Sequence, residues 1–308
     1  MELRWLEDFM ALARTRHFSR AAEQQNVTQP TFSRRIKLLE EEMGTVLVNR
    51  QTLPLSLTPA GEEFLALCHD VTQRVAESRR RLAHLADQHA GRIRLAAPQS
   101  LLSHFLPGWL GRWPAPPPIV PDLRATGWLV DDFFRALAQD ECDLVLCYWP
   151  CSPCGIEPDT QDYLSWRLAG ERMVPLSLPD PDGEPRFSLE GASSLPLIAY
   201  HPRGLTDAAI RTHLARLDDT PDFRILNESI QSSNIRELVS LGYGLGWLPE
   251  SSVRDALAQG TLVPAGGERW QVPMDIVLFR RADNQQPAVS ALWDALVSVG
   301  QLDNSQPD

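Results

Sequence analysis

Apolar residues recur at helical spacing near the start of the chain, in two short segments separated by a break. In the second segment, Phe32, Ile36, Leu39 and Met43 are spaced by four, three and four residues. This spacing places them along one face of a helix. Asn26 interrupts the pattern just before that segment. The pattern therefore predicts two helices joined by a tight turn.

Polar residues of the second segment indicate what its other face does. Thr28 is a suitable N-cap, and Pro30 falls in the first turn, where its missing N–H costs nothing. Pro30, Arg34 and Lys37 lie opposite the apolar stripe. Two short helices with such an outward face are typical of a helix-turn-helix, whose second helix enters the major groove of DNA. The alternative is an ordinary helical hairpin with a solvated charged face.

The residues that follow favour the helix-turn-helix. Residues 46–57 alternate between apolar and polar positions around 52–54, which predicts a hairpin like the wing of a winged helix. Thr58 and Pro59 then supply the cap and the first position of another helix. Since no glycine or proline interrupts residues 62–90, this helix is predicted to be long.

A heptad seam runs along the predicted long helix. Its members alternate at spacings of four and three over about three heptads, a pattern that pairs two helices. A dimer suits a helix-turn-helix that reads two half-sites, whereas the alternative is a helix that packs on its own domain. The seam consists of Phe64, Cys68, Val71, Val75, Ser78, Leu82 and Leu85.

From residue 91 onward, short apolar runs alternate with amphipathic segments. Such alternation predicts an α/β architecture, a parallel sheet with helices on both faces. Residues 101–110 are predicted to form one amphipathic helix, and residues 123–126 a strand. Residues 303–308 are predicted to form a disordered tail.

Composition and charge narrow the class of protein. The 308 residues carry a net charge of −11, and 43% of them are hydrophobic. Residues 1–61 hold eight basic and seven acidic side chains, so the excess acid lies outside the predicted helix-turn-helix. No apolar run is long enough to span a membrane, and the acidic start is unlike a signal peptide. We therefore expect a cytoplasmic protein with no membrane partner and with reduced cysteines.

Several motifs in register resemble the LysR-type transcriptional regulators. The amino-terminal match, from residue 3 to residue 61, is specific, and a weaker match lies in the expected order further along the chain. One departure is in the wing, where Leu53-Pro54-Leu55 replaces a basic residue that family members often carry. The matching motifs include Phe18-Ser19-x-Ala21-Ala22, Thr28-Gln29-Pro30-x-x-Ser33-Arg34, Leu57-Thr58-x-Ala60-Gly61, Glu141-x-Asp143-Leu144-Val145-Leu146 and Val239-x-x-Gly242-x-Gly244-Leu245-Gly246-x-Leu248-Pro249.

The resemblance implies a function and a division of the chain. The protein would be a sequence-specific regulator that binds promoter DNA as a dimer or tetramer and senses an effector. Its effector-binding domain would have two lobes, similar to periplasmic binding proteins. The implied parts are a winged helix-turn-helix at residues 1–58, a dimerising linker helix at 59–90, an effector-binding domain at 91–302 with lobe I at 91–165 and 272–302 and lobe II at 166–271, and the tail at 303–308.

The second helix and the wing carry the candidate DNA contacts. Arg34 is the best candidate for a contact with a base edge. The neighbouring basic side chains are expected to contact phosphates and so to position the helix. The major-groove candidates are Gln29, Pro30, Ser33 and Arg34, the phosphate candidates are Arg35, Lys37 and Arg50, and Thr28 and Thr31 complete the face.

The loops that the resemblance places between the lobes carry the candidate effector contacts. Backbone N–H groups and hydroxyls at helix starts suit a small anion such as a carboxylate. Each serine or threonine is explained equally well as an N-cap. The candidates are Gln99, Ser100, Thr126, Gly127, Tyr200, His201, Ser229, Gln231, Ser232 and Ser233.

Four of the five cysteines crowd into residues 142–154. A metal site usually wants paired Cys-x-x-Cys units or nearby histidines, so no metal is expected. Cys142 and Cys147 are expected to be core thiols. Cys151 and Cys154 are redox candidates, with an incidental cysteine-rich loop as the simpler alternative. The resemblance of the effector-binding domain implies a small-molecule effector. The wing and sheet motifs are most similar to the hypochlorite-responsive branch of the family, which makes an oxidant the other expected effector.

Three common enzyme motifs are absent from the chain, and a fourth is incomplete. The chain has no Gly-x-Ser-x-Gly elbow, no His-Glu-x-x-His and no phosphate-loop lysine motif. Residues 242–246 resemble a dinucleotide loop, but the third glycine is misplaced and no acid follows at the needed distance. The resemblance to the family explains these glycines as tight packing before a strand. We expect neither catalysis nor a cofactor. The rival hypothesis is a small-molecule binding protein with no DNA-binding role.

Overall fold

The computed structural model describes residues 2–52, 54–89 and 91–303 and divides the chain into two compact units. Unit 1 comprises Met1–Ala83 and unit 2 comprises His84–Asp308. Most of the predicted tail, residues 304–308, lies outside the described residues. Among the residues that are described, no helix is both long and apolar enough to cross a membrane.

Unit 1 consists of three short helices, a two-stranded hairpin and the start of a long helix. The elements are α1 (Leu3–Thr15), α2 (Phe18–Gln24), α3 (Gln29–Met43), β1 (Val48–Asn49), β2 (Ser56–Leu57) and α4 (Pro59–His89). The turn between α2 and α3 contains Asn26 at φ +54°, a left-handed conformation that asparagine tolerates better than most residues. Thr28 is the N-cap position of α3, and Pro30 lies in its first turn. The predicted helix-turn-helix is therefore confirmed.

The apolar stripe of α3 forms the centre of the unit 1 core. Phe32, Ile36 and Leu39 are fully buried. They belong to one cluster with the apolar face of α1 and with Ala21 and Ala22 of α2. The small alanine side chains let the helices of the motif approach closely, so the pattern read from the sequence is the packing face.

The start of α4 is attached to the hairpin through a close backbone contact. The Thr58 hydroxyl accepts a hydrogen bond from the Gly61 N–H at 3.1 Å, which caps the helix. The Thr58 N–H donates to the Leu47 carbonyl at 3.0 Å. A Cβ atom at Gly61 would lie 2.1 Å from that same carbonyl oxygen. Only glycine fits there, which explains the Thr-Pro-Ala-Gly motif.

The heptad seam of α4 divides into two parts. Phe64 and Cys68 are buried in the core of unit 1, and the Phe64 ring lies 5.2 Å from the Phe9 ring. The expectation that these two residues pair with a second chain is therefore wrong, because they are core residues of their own domain. Leu82, in contrast, is 64% exposed. The side chain of Leu85 lies outside the described part of the helix.

Unit 2 alternates strands and helices, as the sequence pattern predicts. Its strands are β3 (Ile93–Ala96), β4 (Ile119–Pro121), β5 (Leu144–Pro150), β6 (Tyr163–Ser177), β7 (Ser194–Tyr200), β8 (Asp222–Ser229), β9 (Gly246–Pro249), β10 (Val263–Pro264) and β11 (Val272–Arg281). Its helices are α5 (Gln99–His104), α6 (Leu106–Leu110), α7 (Val130–Ala138), α8 (Leu205–Leu214), α9 (Ser232–Ser240), α10 (Glu250–Ala258) and α11 (Pro287–Asp303).

The main sheet of unit 2 is mixed, with the strand order β10-β6-β11-β5-β3-β4 and β9 beside β6. Strand β3 pairs in parallel with β4 and β5, whereas β11 pairs antiparallel with β5 and β6. The expected fully parallel sheet is wrong, because the chain returns through two long neighbouring strands and not only through helical crossovers. A separate parallel pair, β7 and β8, supports the loops that follow those strands.

Two local predictions fail for identifiable reasons. The helix expected at residues 101–110 divides at Phe105 into α5 and α6, because Pro107 lacks an N–H and its ring crowds the preceding turn. Residues 123–126 form a 3₁₀ turn and not a strand. The Asp122 side chain accepts a hydrogen bond from the Arg124 N–H at 3.0 Å, which starts that turn. The edge strand is β4, just before it.

The glycine-rich run at residues 242–246 packs tightly before β9, as the sequence predicts. A Cβ atom at Gly244 would lie 2.7 Å from the carbonyl oxygen of Pro196. Leu245 forms a parallel bridge with Leu197 of β7. The run therefore joins two strands of unit 2, which leaves no open loop for a phosphate.

Candidate functional site

The outward face of α3 gathers the residues that the sequence assigns to DNA. Gln29, Pro30 and Arg34 are exposed. Among the described residues, no acidic side chain forms an ion pair with Arg34. Lys37 is 70% exposed and lies 3.6 Å from Glu41, a weak pair one turn apart. Helix α3 thus presents two outward cations, three positions apart in sequence.

The hydroxyl residues of α3 are less available than these cations. The Thr28 and Thr31 hydroxyls lie 2.9 Å apart and hydrogen bond to each other. Ser33 is half-buried at the edge of the face. In the free protein these hydroxyl groups therefore shape the start of α3, whereas Arg34 remains an exposed donor.

The other two phosphate candidates are paired inside unit 1. An Nη1 atom of Arg35 lies 3.2 Å from the carboxylate of Asp8, and the Arg35 side chain is only 19% exposed. Arg50 lies 2.7 Å from Glu40, with its guanidinium 5.6 Å from the centre of the Phe18 ring. Arg50 remains 45% exposed. The structure therefore separates Arg35, which points inward, from Arg34 beside it.

Glu40 holds the wing against α3. One carboxylate oxygen of Glu40 accepts hydrogen bonds from the N–H groups of Leu47 and Val48, at 3.0 and 3.1 Å. Its other oxygen accepts the bond from Arg50. A single acid thus positions the hairpin and its basic residue relative to the helix.

Arg20 is a candidate that the sequence reasoning did not assign. It is exposed on α2, and no ion pair to it is found among the described residues. In a helix-turn-helix the first helix crosses the DNA backbone, so a cation on its outer side meets phosphates. The sequence could have indicated this role, because Arg20 lies outside the buried face of α2 that Ala21 and Ala22 mark.

Unit 2 contains a cavity of about 70 Å³ where several helices begin. Helices α7, α8 and α9 all start at its wall, and the loop before α5 completes it. The first N–H groups of a helix have no partner within the helix, and the helix dipole places partial positive charge there. The backbone thus makes this cavity favourable for a negatively charged group.

Most of the effector candidates meet at this cavity. Ser229 does not line it, because its hydroxyl accepts a bond from the Gln231 N–H at 3.0 Å and shapes the turn before α9. Gly127 and Ser233 are also absent from the described lining. The candidates that line the cavity are Gln99, Ser100, Thr126, Tyr200, His201, Gln231 and Ser232.

Two buried tyrosines of the cavity have different hydrogen-bond partners. The Tyr148 hydroxyl donates to the Ser100 hydroxyl at 3.0 Å. The Tyr200 hydroxyl is buried and has no hydrogen-bond partner among the described residues. Burial raises the pKa of Tyr200, although nearby Ser232 opposes that rise, so the phenol stays protonated as a donor. Sequence reasoning missed Tyr148, because it lies within β5, an otherwise apolar strand, and looked like a core residue.

The described lining of the cavity contains no lysine, arginine, aspartate or glutamate. Trp128 and Phe133 contribute apolar wall, with their rings 5.8 Å apart. The Gln231 side-chain amide donates to the Thr126 carbonyl at 3.5 Å and bridges two of the lining loops. Such a lining can hold a small, partly apolar molecule through backbone and hydroxyl donors.

In the described part of the chain, no group of three or more His, Cys, Asp or Glu side chains is placed to hold a metal ion. Cys142 and Cys147 are buried core thiols, as expected, and burial raises the pKa of Cys147 to about 12. Cys151 and Cys154 are free thiols. Burial, followed by the nearby acids Asp275 and Glu157, raises their pKa values. Less of the reactive thiolate therefore forms.

Comparisons with known proteins relate both units to one family. Residues 3–62 match the bacterial regulatory helix-turn-helix protein, lysR family, and residues 86–301 match the LysR substrate binding domain. The HTH-type transcriptional regulator YjiE of Escherichia coli (strain K12) is 28% identical over 296 residues, which cover 96% of this chain and 94% of that protein.

Two solved structures are similar to this chain over nearly all of its length. HypT of Salmonella typhimurium, described as a hypochlorite-specific LysR-type transcriptional regulator, has a TM-score of 0.59 at 26% identity over 97% of this chain and 98% of that one. DarR of Vibrio fischeri in complex with DNA has a TM-score of 0.59 at 26% identity over 96% and 98%. The chain belongs to the LysR family of DNA-binding transcriptional regulators, with an amino-terminal helix-turn-helix and a carboxy-terminal effector-binding domain.

Proposed function

We propose that unit 1 reads promoter DNA with Gln29, Pro30, Ser33 and Arg34 in the major groove. The observation that supports this most directly is the state of Arg34, which is exposed and has no acidic partner among the described residues. An arginine fork donates two parallel hydrogen bonds to guanine O6 and N7, which gives base discrimination. Arg34 is therefore the residue expected to specify a base.

Lys37 and Arg20 are the proposed phosphate contacts, one on each helix of the motif. Arg50 in the wing joins them if DNA competes with Glu40 for its guanidinium. The net charge of residues 1–61 is only +1. Binding should therefore depend on these few local cations, and the affinity should fall as salt rises because counterions are released from each contacted phosphate.

Lys37 allows a direct test of the face, because it is the only lysine in the chain. An amine-reactive reagent should modify Lys37, and the DNA upstream of the gene should protect it, while an equally long scrambled fragment should protect less. Protection should weaken as salt is added. Equal labelling of Lys37 with and without saturating DNA would contradict the proposed face, even if binding occurs elsewhere.

We infer that the effector of unit 2 is a small molecule with one carboxylate or a similar singly charged group. The support is the convergence of three helix starts with the hydroxyls of Ser100, Tyr200 and Ser232. The absence of a lysine or arginine from the described lining disfavours a doubly charged phosphate, which needs a counter-charge. Trp128 and Phe133 would cover the apolar part of the ligand.

Pairs of carboxylates and their amides test the ligand class. Benzoate and benzamide, and acetate and acetamide, differ mainly in charge, so thermal unfolding at constant ionic strength isolates the effect of the anion. The carboxylates should raise the Tm and the amides should not, because only the protein state that binds the ligand is stabilised. Ser100→Ala should reduce the shift. Equal shifts for acid and amide would contradict the inference.

We also propose that the protein is a dimer or tetramer without catalytic activity. The described cavity lining holds no carboxylate, and among the described residues no hydrogen bond joins one of its serines to His201, so acid–base or nucleophilic chemistry has no support there. A regulator of promoter DNA works in the cytoplasm. An oxidant is the second candidate effector, favoured by the similarity to the hypochlorite-specific HypT.

A further inference from the structure

A buried ion pair joins α1 to α3 on the side of α3 next to its exposed face. The Asp8 side chain is 0% exposed, and its Oδ2 atom accepts a hydrogen bond from Nη1 of Arg35 at 3.2 Å. The two residues are 27 positions apart in sequence. The pair therefore connects the first helix to the middle of α3, one residue after Arg34.

The pair is poorly suited to stabilising the fold. The Oδ1 atom of Asp8 is buried and has no hydrogen-bond partner among the described residues. Burial raises the pKa of Asp8, although the hydrogen bond and charge of Arg35 and the charge of Arg4 oppose the rise, and Glu7 adds to it. A buried carboxylate with one satisfied oxygen costs desolvation that a single ion pair hardly repays. An orphaned buried oxygen calls for another explanation.

The position of Arg35 supplies that explanation. Arg34 and Arg35 are adjacent, so on a helix their side chains diverge by about 100 degrees. Arg34 is exposed, whereas Arg35 is 19% exposed and is held toward α1. Without Asp8, the long Arg35 side chain would lose the ion pair that holds it toward α1. It would be free to turn toward the same DNA that Arg34 reads.

We propose that Asp8 is a positioning residue that withholds Arg35 from DNA, so that Arg34 is the one arginine of α3 presented to the bases. The proposal rests on the DNA-reading role of α3. Because a free arginine binds phosphates of any sequence, releasing Arg35 adds sequence-independent affinity. The buried pair therefore acts on sequence discrimination, at some cost in stability.

The test is the salt dependence of DNA binding in four forms of the full chain: wild type, Asp8→Ala, Arg35→Gln and the double variant. Asp8→Ala should steepen the slope of log K against log salt by about 0.9, the value for one added phosphate contact. Asp8→Ala should also lower the ratio of the affinity for promoter DNA to the affinity for scrambled DNA. Arg35→Gln should leave the wild-type slope unchanged, and the double variant should return to it. Asp8→Asn keeps the side-chain volume and one hydrogen-bond acceptor, so its salt slope should lie between those of the wild type and Asp8→Ala.

Each outcome decides the proposal. A wild-type slope that falls by about 0.9 on Arg35→Gln would show that Arg35 already contacts a phosphate, which overturns the proposal. A steeper slope that persists in the double variant would also overturn it, because Arg35 would not be the cause. If Asp8→Ala fails to fold, Asp8→Asn and Arg35→Gln still decide. Loss of promoter preference in the wild type itself would instead refute the DNA-reading role of α3.

Discussion

The two units place their functional groups in opposite ways. In unit 1 the candidate groups are charged side chains on the outside of one helix, with Gln29 and Lys37 only eight positions apart in sequence. In unit 2 they are backbone N–H groups and neutral hydroxyls around a cavity, drawn from loops between residues 98 and 232. One surface is local and charged. The other is assembled from distant segments and uncharged in its described lining.

The difference follows from what each unit is proposed to bind. DNA is a long polyanion whose phosphates attract exposed cations through water, so the interaction depends on salt. A small effector is enclosed, and donors in a partly buried site act with little screening. We therefore expect substitutions in unit 1 to have salt-dependent effects and substitutions in the cavity to have effects that salt hardly changes.

The largest effect should come from assembly, because a second chain doubles the DNA-reading face without altering the cavity. Leu82→Asp places a charge on the exposed part of the α4 seam and should split the dimer, since burying an unpaired carboxylate is costly. Sedimentation should show half the mass, and half-site cooperativity on DNA should disappear. Leu67→Asp is the matched control, because Leu67 is 46% exposed on the same helix but off the seam. A dimeric Leu82→Asp protein would mean that the seam is not the interface.

Arg34→Ala should have the next largest effect. The loss of a bidentate hydrogen-bond contact to a base should cost about 1–3 kcal/mol of binding free energy and should relax sequence preference. Gel-shift titrations on promoter and scrambled DNA measure both quantities. Arg74→Ala, on α4 and paired with Asp70, removes the same charge away from α3 and should change neither. Equal losses of affinity on both DNAs would assign Arg34 to the backbone.

Tyr200→Phe should weaken carboxylate binding by about 0.5–1.5 kcal/mol, the net value of one hydrogen bond. Because the Tyr200 hydroxyl has no hydrogen-bond partner among the described residues, the free energy of unfolding of the free protein should not fall. Tyr148→Phe, which removes the bond to Ser100, should lower it. Tyr243→Phe is the control, since Tyr243 is 59% exposed. Calorimetry at two salt concentrations checks that the affinity for the carboxylate depends only weakly on salt. A strong dependence would contradict the contrast between the two units.

Lys37→Ala should have a smaller effect, because this exposed side chain makes only a point-charge contact. It should weaken promoter and scrambled DNA alike and reduce the salt slope by about 1. A change in sequence preference would instead indicate that Lys37 contacts a base. The comparison with Arg34→Ala at the same salt then separates positioning from specificity within a single helix face.

The smallest effects should come from Cys151→Ser and Cys154→Ser. Since the pKa values of both thiols are raised, the thiolate fraction at pH 7 is below that of an ordinary cysteine. Alkylation followed by mass spectrometry should therefore be slow at neutral pH and should keep accelerating at pH values above the usual thiol pKa. Both variants should retain any response of DNA binding to oxidant. A response lost in either would establish the loop as a redox switch.

The helix-turn-helix could be predicted almost completely because its signals are local. The spacing of Phe32, Ile36 and Leu39 sets the buried face, and Thr28 and Pro30 mark the start of α3. The resemblance to the family rested on the same residues. In unit 2 the order of strands and helices was also predictable, but the direction of β6 and β11 was not, since strand pairing depends on contacts far apart in sequence.

Three features of the protein could be determined only from the tertiary structure. The apolar spacing already places Arg34 on the outer face of α3, but only the buried Asp8 on another helix determines that the adjacent Arg35 is held inward. Phe64 and Leu82 occupy the same heptad seam, yet only the presence of the unit 1 core beside Phe64 makes one a core residue and leaves the other exposed. Tyr200 was among the candidates, but its free hydroxyl depends on which atoms surround it. Periodicity along a chain determines which face of an element is apolar, whereas the neighbour that covers that face is set by packing between elements.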